Sequence, residues 1–143
     1  MRDLVISATY IDTEPLLADW AWLVPPSHQP LFVGAFGDCV FGAPDGSLWL
    51  LDLLEGDYVR IAADAAEYNR LKSDPANLDK WFSADWVVIA AGNGLVPDQT
   101  ECLGWKAHPV IGAAFSMENI GLFSTRIYHS VVGQLFRQLR FGR

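Results

Sequence analysis

The sequence predicts an α+β fold, a single domain in which helices pack on one antiparallel β-meander sheet. Residues 31–62 contain four short β-rich runs separated by tight-turn sequences, among them Asp45-Gly46 and Gly56-Asp57. Strands joined by such turns are antiparallel, because parallel pairing needs a long crossover connection. Helical patterns precede and follow this strand region, and 143 residues suit one domain. We therefore expect a single α+β domain over residues 1–143.

The first helix is predicted to begin at Asp12 or Thr13. Either side chain can cap the helix, and the Glu14-Pro15 pair suits its opening turn. Pro25-Pro26 ends the pattern. Between the cap and the prolines, apolar residues recur at helical spacing, namely Leu16, Leu17, Trp20 and Leu23.

Two further helices are predicted after the strands. Asp64 and Glu67 resemble a capping box for a helix that runs through Leu71. Asn77 is the expected cap of the next helix, which ends at the Gly92-Asn93-Gly94 sequence. The apolar face of this helix comprises Leu78, Trp81, Phe82, Trp86 and Ile89.

The last part of the chain combines an irregular segment with a helix. Residues 101–120 mix isolated polar residues with glycine and apolar residues, which predicts a loop with at most two short strands and a specific partner for each polar group. Trp105 lies in this loop, so we expect it at the surface. Residues 121–126 are typical of a further strand. The final element is an amphipathic helix over 127–139, with apolar residues at steps of four: Ile127, Val131, Leu135 and Leu139.

The composition excludes several classes of protein. Hydrophobic residues make up 51% of the chain, enough for a packed core, which argues against disorder. The apolar runs are short and interrupted, so no membrane-spanning helix is predicted. The N-terminus lacks the basic start and long apolar stretch of a signal peptide. Cys39 and Cys102 are too few for a disulfide framework and predict free, buried thiols, which suit a cytoplasmic location.

Charge is distributed unevenly along the chain. Residues 38–85 contain ten acids and four bases, a local net charge of −6, whereas residues 119–143 contain four arginines and no acid. Direct binding of nucleic acid is therefore not expected, because phosphate neutralisation needs a basic surface. A basic protein partner would be attracted instead, although acidic surfaces also serve solubility alone.

No motif points to catalysis or to a cofactor. The three histidines, His28, His108 and His129, lack the close spacing of metal ligands, so we expect no metal site. Dinucleotide and phosphate-loop motifs are absent, and so is the nucleophile elbow of serine hydrolases. A hydrolase that uses Cys102 with a histidine remains a minor hypothesis. We expect a non-enzymatic protein without a cofactor.

Two groups of short motifs follow one another along the chain: Phe36-Gly37-Asp38-x-x-Phe41-Gly42, Asp45-Gly46, Leu51-Asp52 and Gly56 in the strand region, then Gly94-Leu95, Glu101–Trp105, Pro109, Ile111-Gly112, Glu118–Ile120 and Gln134. Their order and spacing resemble a bacterial domain found at the C-terminus of immunity proteins against type VI secretion DNase effectors. The resemblance covers roughly residues 13–140. It implies an antitoxin that binds a cognate toxin and blocks its active site.

A DNase cleft must be basic to hold phosphates, so an acidic inhibitor would complement it. We expect the acidic strand region to contact the partner, with the segment around Trp105 as a rival surface because aromatic residues anchor interfaces. The alternatives are a general protein-interaction or regulatory module and, less favoured, the hydrolase that uses Cys102. The candidate partner-binding residues are Asp38, Asp45, Asp52, Glu55, Asp57 and Trp105.

Overall fold

The computed structural model describes residues 3–142, and the side chains within this range except those of residues 15 and 16. The predicted place of Leu16 on the first helix therefore lies outside the described residues. The α+β class is confirmed, with a five-stranded antiparallel sheet, a two-stranded sheet and a C-terminal helix. No helix in the described range is long and apolar enough to cross a membrane.

Five strands form the main sheet in chain order: β1 (Val5–Ser7), β2 (Gln29–Gly34), β3 (Cys39–Gly42), β4 (Leu48–Asp52) and β5 (Asp57–Ala62). Every neighbouring pair is antiparallel, which confirms the predicted meander. The sequence does not predict β1, because three residues are too few to show a period of two.

The first helix, α1 (Thr13–Ala18), begins where predicted, and the Asp12 carboxylate accepts the Glu14 N–H at 3.4 Å. It is shorter than predicted, since Trp20 and Leu23 lie in turns beyond it. Trp20 is fully buried, and its indole N–H donates to the His129 carbonyl at 3.0 Å. The position of Trp20 is therefore determined by this contact with the other end of the chain and not by helical periodicity.

The next helix, α2 (Ala65–Leu71), confirms the predicted capping residue, because Asp64 Oδ1 accepts the Glu67 N–H at 2.8 Å. Glu67 in turn accepts the Ala63 N–H at 2.9 Å. Both acids therefore satisfy backbone donors that the helix itself leaves open.

The prediction of one helix from Asn77 to Gly92 is wrong. The chain forms α3 (Pro75–Phe82) and α4 (Ala84–Gly92), separated by Ser83 with a left-handed φ of 55°. Asp74 caps α3, with proline in the first turn. The Asn77 amide instead donates to the Leu71 carbonyl at 2.8 Å, which ties α3 to the end of α2.

A second, two-stranded sheet pairs β6 (Glu101–Trp105) with β7 (Ile120–Ser124), in agreement with the predicted strands. The loop between them contains two short 3₁₀ turns. Asn119 fastens this loop: it accepts the Ala107 N–H at 2.9 Å and donates to the carbonyls of Ala107 and Ala114 at 2.7 and 3.0 Å. An isolated polar residue of this segment thus has specific partners, as predicted.

The final helix, α5 (Thr125–Phe141), is confirmed, but its predicted apolar stripe does not face the core. Ile127, Val131 and Leu139 are 55%, 58% and 53% exposed. The buried face includes Thr125, His129 and Gly133, so the spacing of apolar residues alone does not reveal it. Its residues are Thr125, Tyr128, His129, Val132, Gly133 and Phe136.

Helices cover both faces of the main sheet. Phe41 and Leu51 on one face belong to a core that includes Trp20 of the turn after α1 and residues of α5. Val40 and Leu50 on the other face pack with residues of α2 and α3. The ends of the β4–β5 hairpin and its connecting turn therefore lie beside α3 on one side and α5 on the other.

Candidate functional site

A groove of about 510 Å³ lies between the β4–β5 hairpin and α3. Three carboxylates of the hairpin line it, Asp52, Glu55 and Asp57. Apolar side chains form much of the remaining wall, and two bases also contribute. The other lining residues are Leu50, Val59, Arg60, Ile61, Leu71, Asn77, Lys80 and Trp81. The structure thus brings together three of the predicted partner-binding residues at an open surface, which we call the acidic groove.

Asp52 shapes the turn that carries these acids. Its Oδ1 accepts the N–H groups of Leu54 and Glu55 at 2.9 and 3.1 Å. Burial raises the pKa of Asp52, and the nearby charges of Glu55 and Asp57 raise it further, whereas the two N–H donors lower it. The carboxylate is therefore held in place by the backbone that it organises.

Arg140 of α5 holds the other side of the turn. Its Nη2 donates to Asp57 Oδ1 at 3.1 Å and to the Gly56 carbonyl at 3.0 Å. Both charged side chains are partly exposed, so we assign the ion pair no more than about 1 kcal/mol. Glu55 lies exposed between these fixed points. The turn therefore presents its acids on a backbone fastened to α5.

Asp45 lies away from the acidic groove. It is exposed in the β3–β4 turn, at the opposite end of β4, roughly 17 Å along a five-residue strand. Its carboxylate accepts the Ser47 hydroxyl and the Ser47 N–H, and these two bonds lower the pKa of Asp45. Asp45 therefore does not share a surface patch with the other exposed candidates.

Asp38, also predicted to contact a partner, is buried, with 4% of its surface exposed, so it offers a partner almost no surface in this structure. Its Oδ1 accepts the Leu53 N–H at 2.8 Å. Burial raises the pKa of Asp38 well above its usual value, and the charge of Asp52 raises it further. The signal in the sequence was its place within the apolar run around Phe36 and Phe41, which is typical of a buried position.

We expect Asp38→Asn to retain or raise the free energy of unfolding at neutral pH, since it removes a buried charge, and Asp38→Ala to lower it. The amide oxygen of asparagine can still accept the Leu53 N–H, whereas alanine leaves this buried donor without a partner, at a cost of about 1–3 kcal/mol. Urea unfolding of the two variants measures the difference. Equal losses in both would show that the hydrogen bond contributes nothing.

Trp105 is also buried, with 5% exposed, so the expectation that it lies at the surface is wrong. Its ring contacts Phe36, Trp86 and Phe115, with centroid distances of 5.8, 5.4 and 5.3 Å. Phe115 is 56% exposed. The aromatic ring that a partner would meet at this rival surface is therefore Phe115, which sequence reasoning missed because it lies in a loop without periodicity.

The histidines and cysteines form separate structural contacts. His28 Nδ1 bonds to the Tyr58 hydroxyl at 2.7 Å and His108 Nε2 to the Leu53 carbonyl at 2.8 Å. No group of three His, Cys, Asp or Glu residues in the described range is arranged to hold a metal ion. Cys39 and Cys102 are both fully buried.

His129 and Cys102 both adjoin Gly37 in the core. A methyl group built on Gly37 would lie 3.5 Å from the Cys102 sulfur and 3.6 Å from the His129 ring. His129 Nε2 donates to the Gly37 carbonyl. Both side chains have 0% exposure, so a substrate cannot reach this pair in the folded state.

Comparisons with known proteins assign no family: no family model matches the chain, and no curated protein is significantly similar to it. The chemistry of the acidic groove and its neighbours is what bears on function.

Proposed function

We propose that this chain is a non-enzymatic immunity protein, which binds and blocks a cognate secreted toxin, such as a DNase effector, in the cytoplasm. The observation that carries the proposal is the acidic groove. Three carboxylates there lie on a turn fixed by Asp52 and by Arg140, next to open apolar surface. A basic active-site surface on the toxin would complement this arrangement.

Preorganisation supports a role in binding. Ordering side chains and loops on association costs free energy, and a turn that is already fixed by hydrogen bonds avoids part of that cost. Val59 is 44% exposed and adjoins the carboxylates in the groove. A long basic side chain of the partner could place its stem on such apolar surface and its charge on the acids.

The burial of the two thiols speaks against the hydrolase hypothesis. A nucleophile must reach its substrate, and Cys102 has no exposed surface. The remaining alternative, a regulatory module, makes the same use of the acidic groove but has a harmless partner. The toxicity of the protein encoded by the neighbouring gene distinguishes these two.

We expect co-expression with that neighbouring protein to relieve toxicity and to yield a stable complex. Glu55→Lys is expected to weaken the complex by a factor of about ten or more, because it reverses a charge that faces the basic partner, and that factor corresponds to about 1.4 kcal/mol. Calorimetry or surface plasmon resonance measures the affinity, and added salt should weaken the wild-type complex.

The matched control is Asp85→Lys, an equal charge reversal at an exposed residue of α4 outside the acidic groove. Equal weakening by both reversals would remove the groove from the interface. A neighbouring protein that binds but is harmless would favour the regulatory module. A neighbouring protein that neither binds nor is toxic would overturn the proposal.

A further inference from the structure

The exposed face of α5 carries three large apolar side chains, two near its start and one at its end. Ile127, Val131 and Phe141 are 55%, 58% and 63% exposed, and the exposed Gln134 and Gln138 lie between Val131 and Phe141 on the same face. These five positions are separated by steps of four, three, four and three residues, the spacing of a helix–helix seam. A monomeric protein usually scatters its exposed apolar residues, whereas a stripe of this kind marks an interaction surface.

One edge of this stripe carries both an acid and a base. Asp19, from the turn after α1, accepts the Ser130 hydroxyl at 2.6 Å and so lies at the level of Ser130. Arg137 is exposed two turns further along α5. Ser130 and Arg137 are seven residues apart, and each directly precedes a residue of the stripe. They therefore occupy equivalent positions of the heptad repeat, at the edge of the seam.

We propose that the occupant of this face is a second copy of the chain, with the two α5 helices packed antiparallel about a two-fold axis. In such a pair the equivalent flanking positions of the two helices meet. Arg137 of each protomer then lies beside Ser130 and Asp19 of its partner. Asp19 and Arg137 therefore form two equivalent ion pairs, one on each side of the two-fold axis. A parallel arrangement would leave both charges without this complement.

The seam of the antiparallel pair follows from the same register. Val131 packs on the stem of the partner's Gln134, and Ile127 on the stem of the partner's Gln138. Shifting the register by one heptad would instead bring the two Arg137 side chains together, which like-charge repulsion opposes. The charges therefore select one register from the two that the stripe permits. The acidic groove lies on the other side of the β4–β5 hairpin and is not used.

Sedimentation equilibrium at concentrations up to about 1 mM tests the proposal, because that range covers weak association. We expect a reversible dimer of twice the 15.8 kDa chain mass. Val131→Lys should raise the dissociation constant at least tenfold, whereas Val88→Lys, at a 71% exposed residue of α4, should leave it unchanged. A monomer throughout this range, or equal effects of both variants, would overturn the proposal.

The register has its own test. Arg137→Asp should weaken the dimer, and combining it with Asp19→Arg should restore most of the loss, because the exchanged charges face each other again. Both variants are checked for native circular dichroism.

In a separate measurement, Gln134→Cys should cross-link through a short bismaleimide, since the native thiols are buried. Asn69→Cys, at an exposed residue of α2, is the control, and equal cross-linking from the two positions would overturn the assignment.

Discussion

Gly56→Ala is expected to lower the free energy of unfolding by about 2–5 kcal/mol. Gly56 has a φ of 69°, a left-handed conformation that costs alanine about 1–2 kcal/mol. A methyl group there would also overlap the Phe136 ring of α5, and such overpacking costs about 1–3 kcal/mol more. Urea unfolding, followed by tryptophan fluorescence, measures the loss.

Gly46→Ala is the matched control because it separates the two causes. Gly46 has a similar φ of 88°, but no described atom lies within 4 Å of a methyl group built on it. Its substitution should therefore cost only the conformational part. Equal losses at the two glycines would show that the contact between the β4–β5 turn and Phe136 is not tight. A larger loss at Gly56 would show that α5 supports the acidic groove.

Acidification is expected to destabilise the protein through His129. Burial lowers the pKa of His129 from 6.5 to about 4, because the charged ring would be cut off from water, and the hydrogen bond from Nε2 to the Gly37 carbonyl offsets only part of this effect. The Nδ1 atom has no hydrogen-bond partner among the described residues. The unfolded chain then binds the proton more readily, so stability is lost as the pH falls from about 6.5 towards 4. The loss approaches about 3 kcal/mol.

Two other buried groups modify this pH dependence. Burial also lowers the pKa of His108, which adds to the loss on acidification. Asp38 acts in the opposite direction: its raised pKa means that the folded state takes up a proton more readily, so its protonation offsets part of the loss. Asp38→Asn should therefore steepen the decline in stability at acidic pH.

Urea unfolding at a series of pH values measures the decline, and His129→Gln should flatten it, because glutamine retains a donor for Gly37 but does not titrate. NMR titration of the His129 ring in the wild-type protein gives the same information without a substitution. A His129 pKa near 6.5 would contradict the expected decline, whatever the stability of the variant.

The meander was predictable because its strands pair with their neighbours in sequence, and local turn residues such as Asp45-Gly46 specify each hairpin. The capping residues Asp12 and Asp64 were predictable for the same reason. The break at Ser83 was not, since a single serine in a left-handed conformation leaves no periodic signal. Long-range contacts, which local patterns do not encode, decide such positions.

The candidate site was predictable only as a region of charge. The sequence indicated the acids of the meander, but burial separates Asp38 from the exposed ones and the length of β4 separates Asp45. Arg140 supports the turn through hydrogen bonds to Gly56 and Asp57, from which it is separated by 84 and 83 positions in the sequence. Nothing in the local sequence of either segment indicates that contact, because it depends on where α5 packs.

The hydrogen bond between Trp20 and the backbone of His129 spans 109 positions, and this has a consequence for biosynthesis. The ribosome delivers the meander, with its local pairings, well before α5. Until α5 emerges, Trp20 and the sheet face around Phe41 lack the part of their cover that Tyr128, Val132 and Phe136 supply. A chain whose synthesis stops before α5 would therefore expose apolar surface that is buried in the complete fold, and chaperones and proteases recognise such surface.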